Sequence, residues 1–316
     1  MQYLTRVTSE LTNEDWQQIA DLFNISFNRN KQTDWFRQKY RSAVEHVQCT
    51  HGLMVNDAGE IVGAMTVIPF NYSFFGRPAV FGNLVDLMIH PGYRNDILNF
   101  KRIYDKLVAV IKSQVSFLYA VPNPNSFLYF VKVLRWQEVG VLNYYLWPVK
   151  IAKLLKVPLL VDKVFVPVSS VVQRLLFPLA DRRQPAEIFK INDAAYRNYR
   201  FSASYHIISK GGRLAWYRVY DEDGISTAYI VDAEPMQKAW LSRVTRTIAT
   251  KEKKRVDLVM YVSNIGMGIP NLIKTPRKFH PRKLTLIGKL IDDGQLDERI
   301  FEMSNWRFNL SDFDVR

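Results

Sequence analysis

The chain has 316 residues, of which 48% are hydrophobic and 23% charged, and its 43 Lys and Arg against 30 Asp and Glu give a formal net charge of +13. This composition excludes a protein that is mainly disordered, collagenous or coiled-coil, and the length predicts two domains at roughly 150 residues each. The positive charge favours anionic partners, among them a nucleotide cofactor, a nucleotide sugar, a nucleic acid or an acidic membrane surface.

The cysteine and histidine residues indicate the redox state of the compartment and whether a metal site is expected. The single cysteine, Cys49, cannot form an intrachain disulfide, which fits a reducing, cytoplasmic compartment. Residues 1–15 lack the apolar stretch of a signal peptide, and no run of about 18 uncharged apolar residues predicts a transmembrane helix. The five histidines have no metal-ligand spacing, so we expect no metal site.

In chain order, the first half predicts an α/β domain around a mixed sheet. Hydrophobic periodicity and turn residues predict helices at 12–27 and 34–47, a hairpin at 52–69, strands at 71–75 and 79–90, a helix at 99–113, a strand at 115–121, a helix at 125–134 and a strand at 138–147. We expect a phosphate site between His90 and Asn99, because backbone N–H groups are free at a helix N-terminus.

The second half repeats this order of elements, which indicates a weak internal duplication. An apolar and basic stretch with four prolines, residues 148–183, predicts a helical linker. After it we predict a strand at 188–191, a helix at 193–201, strands at 205–209, 213–220 and 225–233, a helix at 235–251, and strands at 256–262, 282–291 and 306–311. The expected domains are therefore 1–148 and 187–316, joined by the linker 149–186.

Two segments of the first half resemble the GNAT superfamily, the GCN5-related N-acetyltransferases. Residues 83–94 read Asn-Leu-Val-Asp-Leu-Met-Ile-His-Pro-Gly-Tyr-Arg, and residues 119–126 read Tyr-Ala-Val-Pro-Asn-Pro-Asn-Ser. In that family these positions form the central strand with the start of the acyl-CoA pyrophosphate loop, and the neighbouring strand that splays away to admit the pantetheine. On residues 228–232 and 306–314, the second half looks like the degenerate second GNAT-like domain of longer members.

The resemblance implies an α/β fold of two tandem GNAT-like lobes, each a mixed, mostly antiparallel sheet flanked by helices. It also implies an acyltransferase that uses acetyl-CoA or another acyl-CoA, with backbone hydrogen bonds from Leu87, Met88 and Ile89 to the pantetheine. The implied pyrophosphate loop consists of Arg94, Asn95, Asp96, Ile97, Leu98 and Asn99.

This loop departs from the family pattern Arg/Gln-x-x-Gly-x-Gly/Ala because it contains no glycine. Glycine serves such a loop by letting backbone N–H groups approach phosphate without a Cβ in the way. Asp96 also adds a negative charge. Either the loop binds CoA with altered geometry, helped by Lys101 and Arg102, or it does not bind CoA. We expect no CoA on the C-terminal half, where residues 232–235 run directly into a helix.

Acyl transfer from a thioester needs a polarised carbonyl, a base for the acceptor and an acid for the departing thiolate. Desolvation disfavours the charged form of a carboxylate in an apolar strand, which makes Asp86 a candidate general base. A structural carboxylate at a sheet bulge is the alternative. Tyr129 is the candidate acid by resemblance, or else a packing residue. Asn125 caps its helix or contacts the pantetheine.

Residues 157–180 combine aliphatic and aromatic side chains with Lys163 and Arg174, and Lys150, Lys153 and Lys156 lie just before them. We expect the apolar side chains to be buried between the two halves. Peripheral docking on an anionic bilayer is the alternative, because interfacial binding needs apolar area and cationic attraction. Two basic clusters, at 251–255 and 274–283, come without a nucleic-acid-binding signature, so we expect no specific nucleic acid partner.

Two functions remain at this point. The first is an acyltransferase that moves an acetyl or longer acyl group from CoA to an amine or hydroxyl acceptor, either a small molecule or a saccharide such as a cell-envelope precursor. The second is a non-catalytic GNAT-fold binding protein that has lost CoA binding because its pyrophosphate loop lacks glycines. Binding of acetyl-CoA distinguishes them.

Overall fold

The computed structural model describes residues 1–175, 186–265, 269, 271–291, 294 and 296–313. It separates into two units, each assembled from three stretches of chain. Unit 1 comprises Met1–Gly140, Glu187–Tyr199 and Thr285–Met303, and unit 2 comprises Val141–Ala186, Arg200–Leu284 and Ser304–Arg316. Among the described residues, no helix has both the length and the hydropathy needed to cross a bilayer.

Strands and helices are distributed along the whole described chain. The strands are β1 (Gln2–Val7), β2 (Thr50–Val55), β3 (Ile61–Phe74), β4 (Arg77–Ile89), β5 (Phe117–Ala120), β6 (Gln137–Val141), β7 (Asn143–Pro148), β8 (Ile188–Lys190), β9 (His206–Lys210), β10 (Arg213–Glu222), β11 (Ile225–Glu234), β12 (Leu258–Ser263), β13 (Ile273–Lys274), β14 (Thr285–Leu290) and β15 (Trp306–Arg307). The helices are α1 (Asn13–Phe27), α2 (Thr33–Lys39), α3 (Leu98–Ile111), α4 (Pro124–Lys132), α5 (Ala152–Leu155), α6 (Leu160–Leu175), α7 (Ala194–Arg200) and α8 (Lys238–Lys251).

Unit 1 is built on a mixed sheet with the strand order β1-β2-β3-β4-β5-β14-β6, and β8 pairs with the last residues of β3. β4 and β5 run parallel and are connected through α3. The apolar face of α3 packs on the sheet through Ile103, Leu107 and Ile111, which are fully buried. Gly52 permits this close approach, because a Cβ there would lie 2.8 Å from Cγ2 of Ile103. The start of α3 is thereby held near the end of β4.

Unit 2 repeats this strand pattern. Its sheet has the order β13-β7-β12-β11-β10-β9, with β11 and β12 parallel and connected through α8. Trp240, Val244 and Ile248 of α8 are buried against the sheet. The predicted linker also belongs to this unit, because α6 packs against α8. Both sheets are mostly antiparallel and flanked by helices, as the predicted fold class requires.

The units cut across the predicted contiguous domains because they exchange strands. The predicted strand 138–147 is interrupted at Leu142, and its second part, β7, pairs antiparallel with β12 of unit 2. Conversely, β14 comes from the second half of the chain and pairs antiparallel with β5 of unit 1. Each parallel pair thus receives its next strand from the other half of the sequence.

Most predicted elements of the first half are confirmed, with local corrections. α1 begins after Thr12, whose hydroxyl accepts a hydrogen bond from the N–H of Asp15. The predicted helix 34–47 ends at Lys39, because the chain turns at residues 42–44, where Ser42 accepts the N–H of Val44. The strands predicted on either side of Phe70 are one continuous strand, β3. β1, which pairs with β2, was not predicted.

Candidate functional site

The parallel strands β4 and β5 separate part-way along their length. Their pairing runs from Phe81 opposite Phe117 to Asn83 opposite Tyr119 and then stops, although β4 continues to Ile89. The edge of β4 beyond Asn83 therefore has no paired strand on the β5 side among the described residues. Strands that diverge in this way leave unpaired backbone donors and acceptors along a narrow gap. We call this gap the β4–β5 gap.

β4 carries a bulge at the point where it borders this gap. Its register with β3 shifts between Val85, which pairs with Thr66, and Met88, which pairs with Ala64. Asp86 and Leu87 therefore both stand opposite the single residue Met65, and Asp86 has a positive φ of 52°. A bulge of this kind bends the strand and redirects its backbone groups, and such bulges are frequent beside active sites.

Asp86 does not lie among apolar side chains alone, as the general-base prediction assumed. Its carboxylate is 2.6 Å from Nζ of Lys39, and both side chains are only 8% exposed. The hydroxyl of Tyr40 also donates a hydrogen bond of 2.6 Å to Oδ2 of Asp86. Lys39 is held in place by the ring of Trp35, 4.8 Å from its Nζ. Both partners come from the end of α2 and were not identified from the sequence.

Leu87, Met88 and Ile89 line the same stretch of β4. The side chains of Met88 and Ile89 are buried, and that of Leu87 packs partly exposed against the core of unit 1. The N–H of His90 donates to the carbonyl of Val62 on β3, and because backbone groups alternate along a strand, those of Met88 also face β3 while those of Ile89 face the gap. The role predicted for all three residues is a backbone contact with the pantetheine. That role stays a prediction.

The loop after β4 is held in place by its own side chains. Arg94 donates from Nε to the carbonyl of Ile89 at 2.8 Å. Oδ1 of Asp96 accepts the N–H of Leu98 at 2.8 Å, while its Oδ2 lies 2.6 Å from Nη1 of Arg102. The Leu98 N–H and the Arg102 guanidinium hold the pKa of Asp96 below its usual value. Asp96 is therefore ionised at neutral pH and caps the start of α3.

Four of the six predicted loop residues differ in what they can offer a ligand. Asn99 is buried, and its side chain accepts a hydrogen bond of 2.6 Å from the Tyr3 hydroxyl, so it serves the fold. In contrast, the backbone N–H groups of Asn95, Asp96 and Ile97 have no acceptor among the described residues. Three consecutive N–H groups without an acceptor thus lie directly before a helix, a place where backbone donors are available to an anion.

Tyr129, on α4, contacts the first turn of α3. Its ring lies 5.2 Å from that of Phe100 in the first turn of α3. The hydroxyl is buried and has no hydrogen-bond partner among the described residues. Burial raises the pKa of Tyr129 to about 12, an effect that the nearby backbone of Lys101 partly offsets. The hydroxyl therefore stays protonated at neutral pH and has an unused donor.

The N-cap of α4 lies two residues before the predicted one. Asn123, not Asn125, is the N-cap, because its Oδ1 accepts the N–H of Ser126 at 2.9 Å. Pro124 follows as the first helical residue, a position that suits its fixed φ. Asn125 is exposed, and the other role predicted for it, contact with the pantetheine, stays a prediction.

The corresponding gap of unit 2 is crossed by the chain's own C-terminal segment, residues 306–313. The pairing of β11 with β12 ends at Ile230 opposite Tyr261. Beyond that point Asn309 and Ser311 donate to the carboxylate of Asp232 on β11, at 2.8 and 2.9 Å. The N–H of Asn264, directly after β12, donates to the carbonyl of Phe308. In unit 2 a segment of the chain thus crosses the gap between the parallel strands, whereas in unit 1 no described strand pairs with β4 beyond Asn83 on that side.

The first part of the chain matches a known family. Residues 8–125 match the family model described as Acetyltransferase (GNAT) domain. Residues 8–125 form a GNAT domain. This range contains the bulged β4, the loop 94–99, β5 and the start of α4. The match ends at 125, so a second GNAT-like domain in the C-terminal half stays a prediction.

Solved structures with the same fold extend over most of the chain. A probable N-acyltransferase from Enterococcus faecalis is 13% identical and aligns over 92% of this chain and 73% of its own, with a TM-score of 0.56. A GCN5-related N-acetyltransferase from Anabaena variabilis is 10% identical, with the same coverage and a TM-score of 0.59. N-myristoyltransferase from Saccharomyces cerevisiae with bound myristoyl-CoA is 9% identical over 90% of this chain and 82% of its own, with a TM-score of 0.55.

These likenesses show that the GNAT domain sits within a GNAT-type α/β fold. No curated protein matches the sequence significantly. Among the described residues, no group of three or more His, Cys, Asp or Glu side chains is arranged to hold a metal ion.

Proposed function

We propose that the GNAT domain binds an acyl-CoA in the β4–β5 gap and transfers its acyl group to an amine or hydroxyl acceptor. The observation that carries this proposal is the combination of a bulged β4, a neighbouring strand that leaves it after Asn83, and the free N–H groups of residues 95–97 before α3. Each element offers backbone donors to a different part of one extended ligand: thioester, pantetheine and pyrophosphate.

The roles of the side chains follow from their surroundings. The backbone at the bulge, from Leu87 to Ile89, polarises the thioester carbonyl, because preorganised N–H groups stabilise a developing oxyanion. Asp86 receives the proton of the acceptor, while Lys39 and Tyr40 orient its carboxylate. Tyr129 supplies a proton to the departing thiolate through its unpaired hydroxyl. Lys101 and Arg102 add positive charge beside the pyrophosphate.

The acceptor in this proposal is a small molecule or a saccharide, such as a cell-envelope precursor, and the reaction takes place in the cytoplasm. Unit 2 takes no CoA, because residues 306–313 cross the β11–β12 gap and engage Asp232. The acyl group is acetyl or longer. The acceptor can be identified by measuring the release of the free CoA thiol in the presence of different amines and saccharides.

The pyrophosphate loop can be tested with one matched pair of variants. Ile97 has φ −61°, which proline adopts without strain, and its N–H has no acceptor among the described residues. Ile97→Pro therefore deletes one anion-binding N–H with little effect on the fold, and Ile97→Ala is the control. We expect Ile97→Pro to weaken CoA binding about tenfold or more in calorimetry, since a hydrogen bond to a charged group is lost. Equal affinities of the two variants would show that the loop does not hold the pyrophosphate.

The non-catalytic alternative is favoured by one observation, the ionised Asp96 capping α3 where a pyrophosphate would lie. Under that alternative the wild-type chain shows no heat of binding with acetyl-CoA or longer acyl-CoA. Asp96→Asn would then restore binding, because it removes the repelling charge and keeps the side-chain acceptor for Leu98. Binding by the wild-type chain eliminates the alternative.

A further inference from the structure

Helix α6 presents its apolar face outward. Its aliphatic side chains recur at positions 160, 164, 168, 171 and 175, a spacing that forms one stripe along a helix. With two neighbours on the same side, these residues are between 38% and 76% exposed. We call this surface the α6 face; it consists of Leu160, Val161, Val164, Val168, Val171, Val172 and Leu175. The expected burial is therefore wrong for these seven side chains, whereas Phe165 and Val166 are half-buried. Residues 176–180 lie outside the described residues.

The opposite side of α6 attaches it to unit 2 through polar groups. Ser169 is buried and accepts a hydrogen bond of 3.1 Å from Nε1 of Trp147. The carbonyl of Gln173 accepts from Nη2 of Arg246 on α8 at 2.7 Å. Asp162 accepts the N–H groups of Ile151 and Ala152. The helix is thus fixed with its polar side inward, the reverse of an ordinary surface helix.

Exposed cations lie near the N-terminal end of α6. Lys156, which ends α5, and Lys163, on the flank of α6, are both exposed. Lys150 donates from Nζ to the carbonyl of Lys254 at 2.8 Å, which places the basic turn 251–255 beside the start of α5. Within that turn Lys253, Lys254 and Arg255 are exposed. Apolar area next to cationic side chains is the combination that anionic lipid surfaces bind.

We propose that the α6 face docks unit 2 on the surface of an anionic phospholipid bilayer. The helix lies in the plane of the interface, because its 16 residues extend about 24 Å, less than a bilayer core, and its polar side is engaged in the protein. The charges favour lipid over a second copy of this chain. A symmetric contact centred on this face would place Lys156 and Lys163 of one subunit near residues 171–175 of the other, which include no carboxylate, whereas an anionic bilayer offers every one of these cations a headgroup charge. This proposal does not depend on the acyltransferase proposal.

The test is co-sedimentation of the full chain with vesicles of phosphatidylcholine alone or mixed with phosphatidylglycerol. We expect binding to the anionic vesicles at low salt, weakening toward physiological ionic strength, where charges are screened within about 8 Å. Val164→Glu with Val171→Glu should abolish it. The matched control, Val110→Glu with Ile207→Glu, adds the same two charges at exposed positions in other elements and should bind like the wild type. Lys156→Ala with Lys163→Ala should lower the partition coefficient roughly 30-fold.

Circular dichroism and the unfolding midpoint keep the result interpretable, because all these positions are exposed and the variants should fold normally. Absence of sedimentation with anionic vesicles at low salt overturns the proposal. Unchanged binding by Val164→Glu with Val171→Glu overturns it as well, and so does equal binding to neutral vesicles. A dimer in light scattering that these two glutamates dissociate, with no vesicle binding, assigns the face to a second copy instead.

Discussion

The buried pair Lys39–Asp86 gives the sharpest stability prediction. Lys39→Met removes the ammonium from beside a carboxylate that is 2.6 Å away and only 8% exposed. At an effective dielectric constant of about 20, unit charges at this distance attract by about 6 kcal/mol, which the cost of removing both from water partly offsets. Because breaking one side of a buried pair leaves the other charge uncompensated, we expect Lys39→Met to lower the free energy of unfolding by about 3–5 kcal/mol.

The measurement is urea unfolding of the full chain, followed by tryptophan fluorescence and far-ultraviolet circular dichroism. Lys101→Met is the matched control, because its ammonium pairs with Asp105 on the exposed surface of α3 and should contribute less than about 1 kcal/mol. Asp86→Asn completes a double-mutant cycle with Lys39→Met. We expect the double variant to be more stable than the sum of the single losses by about 2 kcal/mol, since the uncompensated charge is gone.

Additive losses in this cycle would refute the electrostatic reasoning, and so would a loss from Lys39→Met no larger than that from Lys101→Met. The same variants bear on catalysis. If Asp86 receives the acceptor proton, Asp86→Asn abolishes turnover while leaving CoA affinity unchanged. If it only holds α2 against the bulge, turnover falls in proportion to the folded fraction.

Three further outcomes are expected. Burial holds the pKa of His51 at about 3 against about 6.5 in the unfolded chain, so the free energy of unfolding should fall as pH decreases below 6.5, by about 3 kcal/mol at pH 4.5. Urea unfolding at a series of pH values should show a weaker pH dependence of this free energy for His51→Gln, and an equal dependence in the two proteins would contradict the reasoning. Tyr129→Phe should lower the rate of CoA release but not CoA affinity or stability, because the hydroxyl has no partner among the described residues; an unchanged rate would exclude it as the acid. Gly288→Ala should cost about 1–3 kcal/mol in thermal unfolding, because the added Cβ would overlap the ring of Phe117; a wild-type midpoint would mean that the ring moves freely.

The sequence by itself determined the local elements and the central part of the candidate site. The capping residues of α1, the turn residues 221–224 between β10 and β11 and the apolar stripe of α3 are short-range patterns, so a few neighbouring residues suffice to predict them. The segments 83–94 and 119–126 likewise located β4, the loop after it and β5, and the role of these elements as a CoA site is what their resemblance to the GNAT family implies.

Which elements become partners was decided by the tertiary structure. The exposed edge of a parallel pair accepts any antiparallel strand of suitable length, so nothing local assigns β7 to unit 2 or β14 to unit 1. The partners of Asp86 come from α2, nearly 50 residues earlier, and a charge pair over that distance leaves no periodic signal. The outward orientation of the apolar face of α6 also depends on tertiary contacts. An amphipathic pattern shows that a helix has two faces, but only the hydrogen bonds of Asp162 and Ser169 determine which face turns toward the protein.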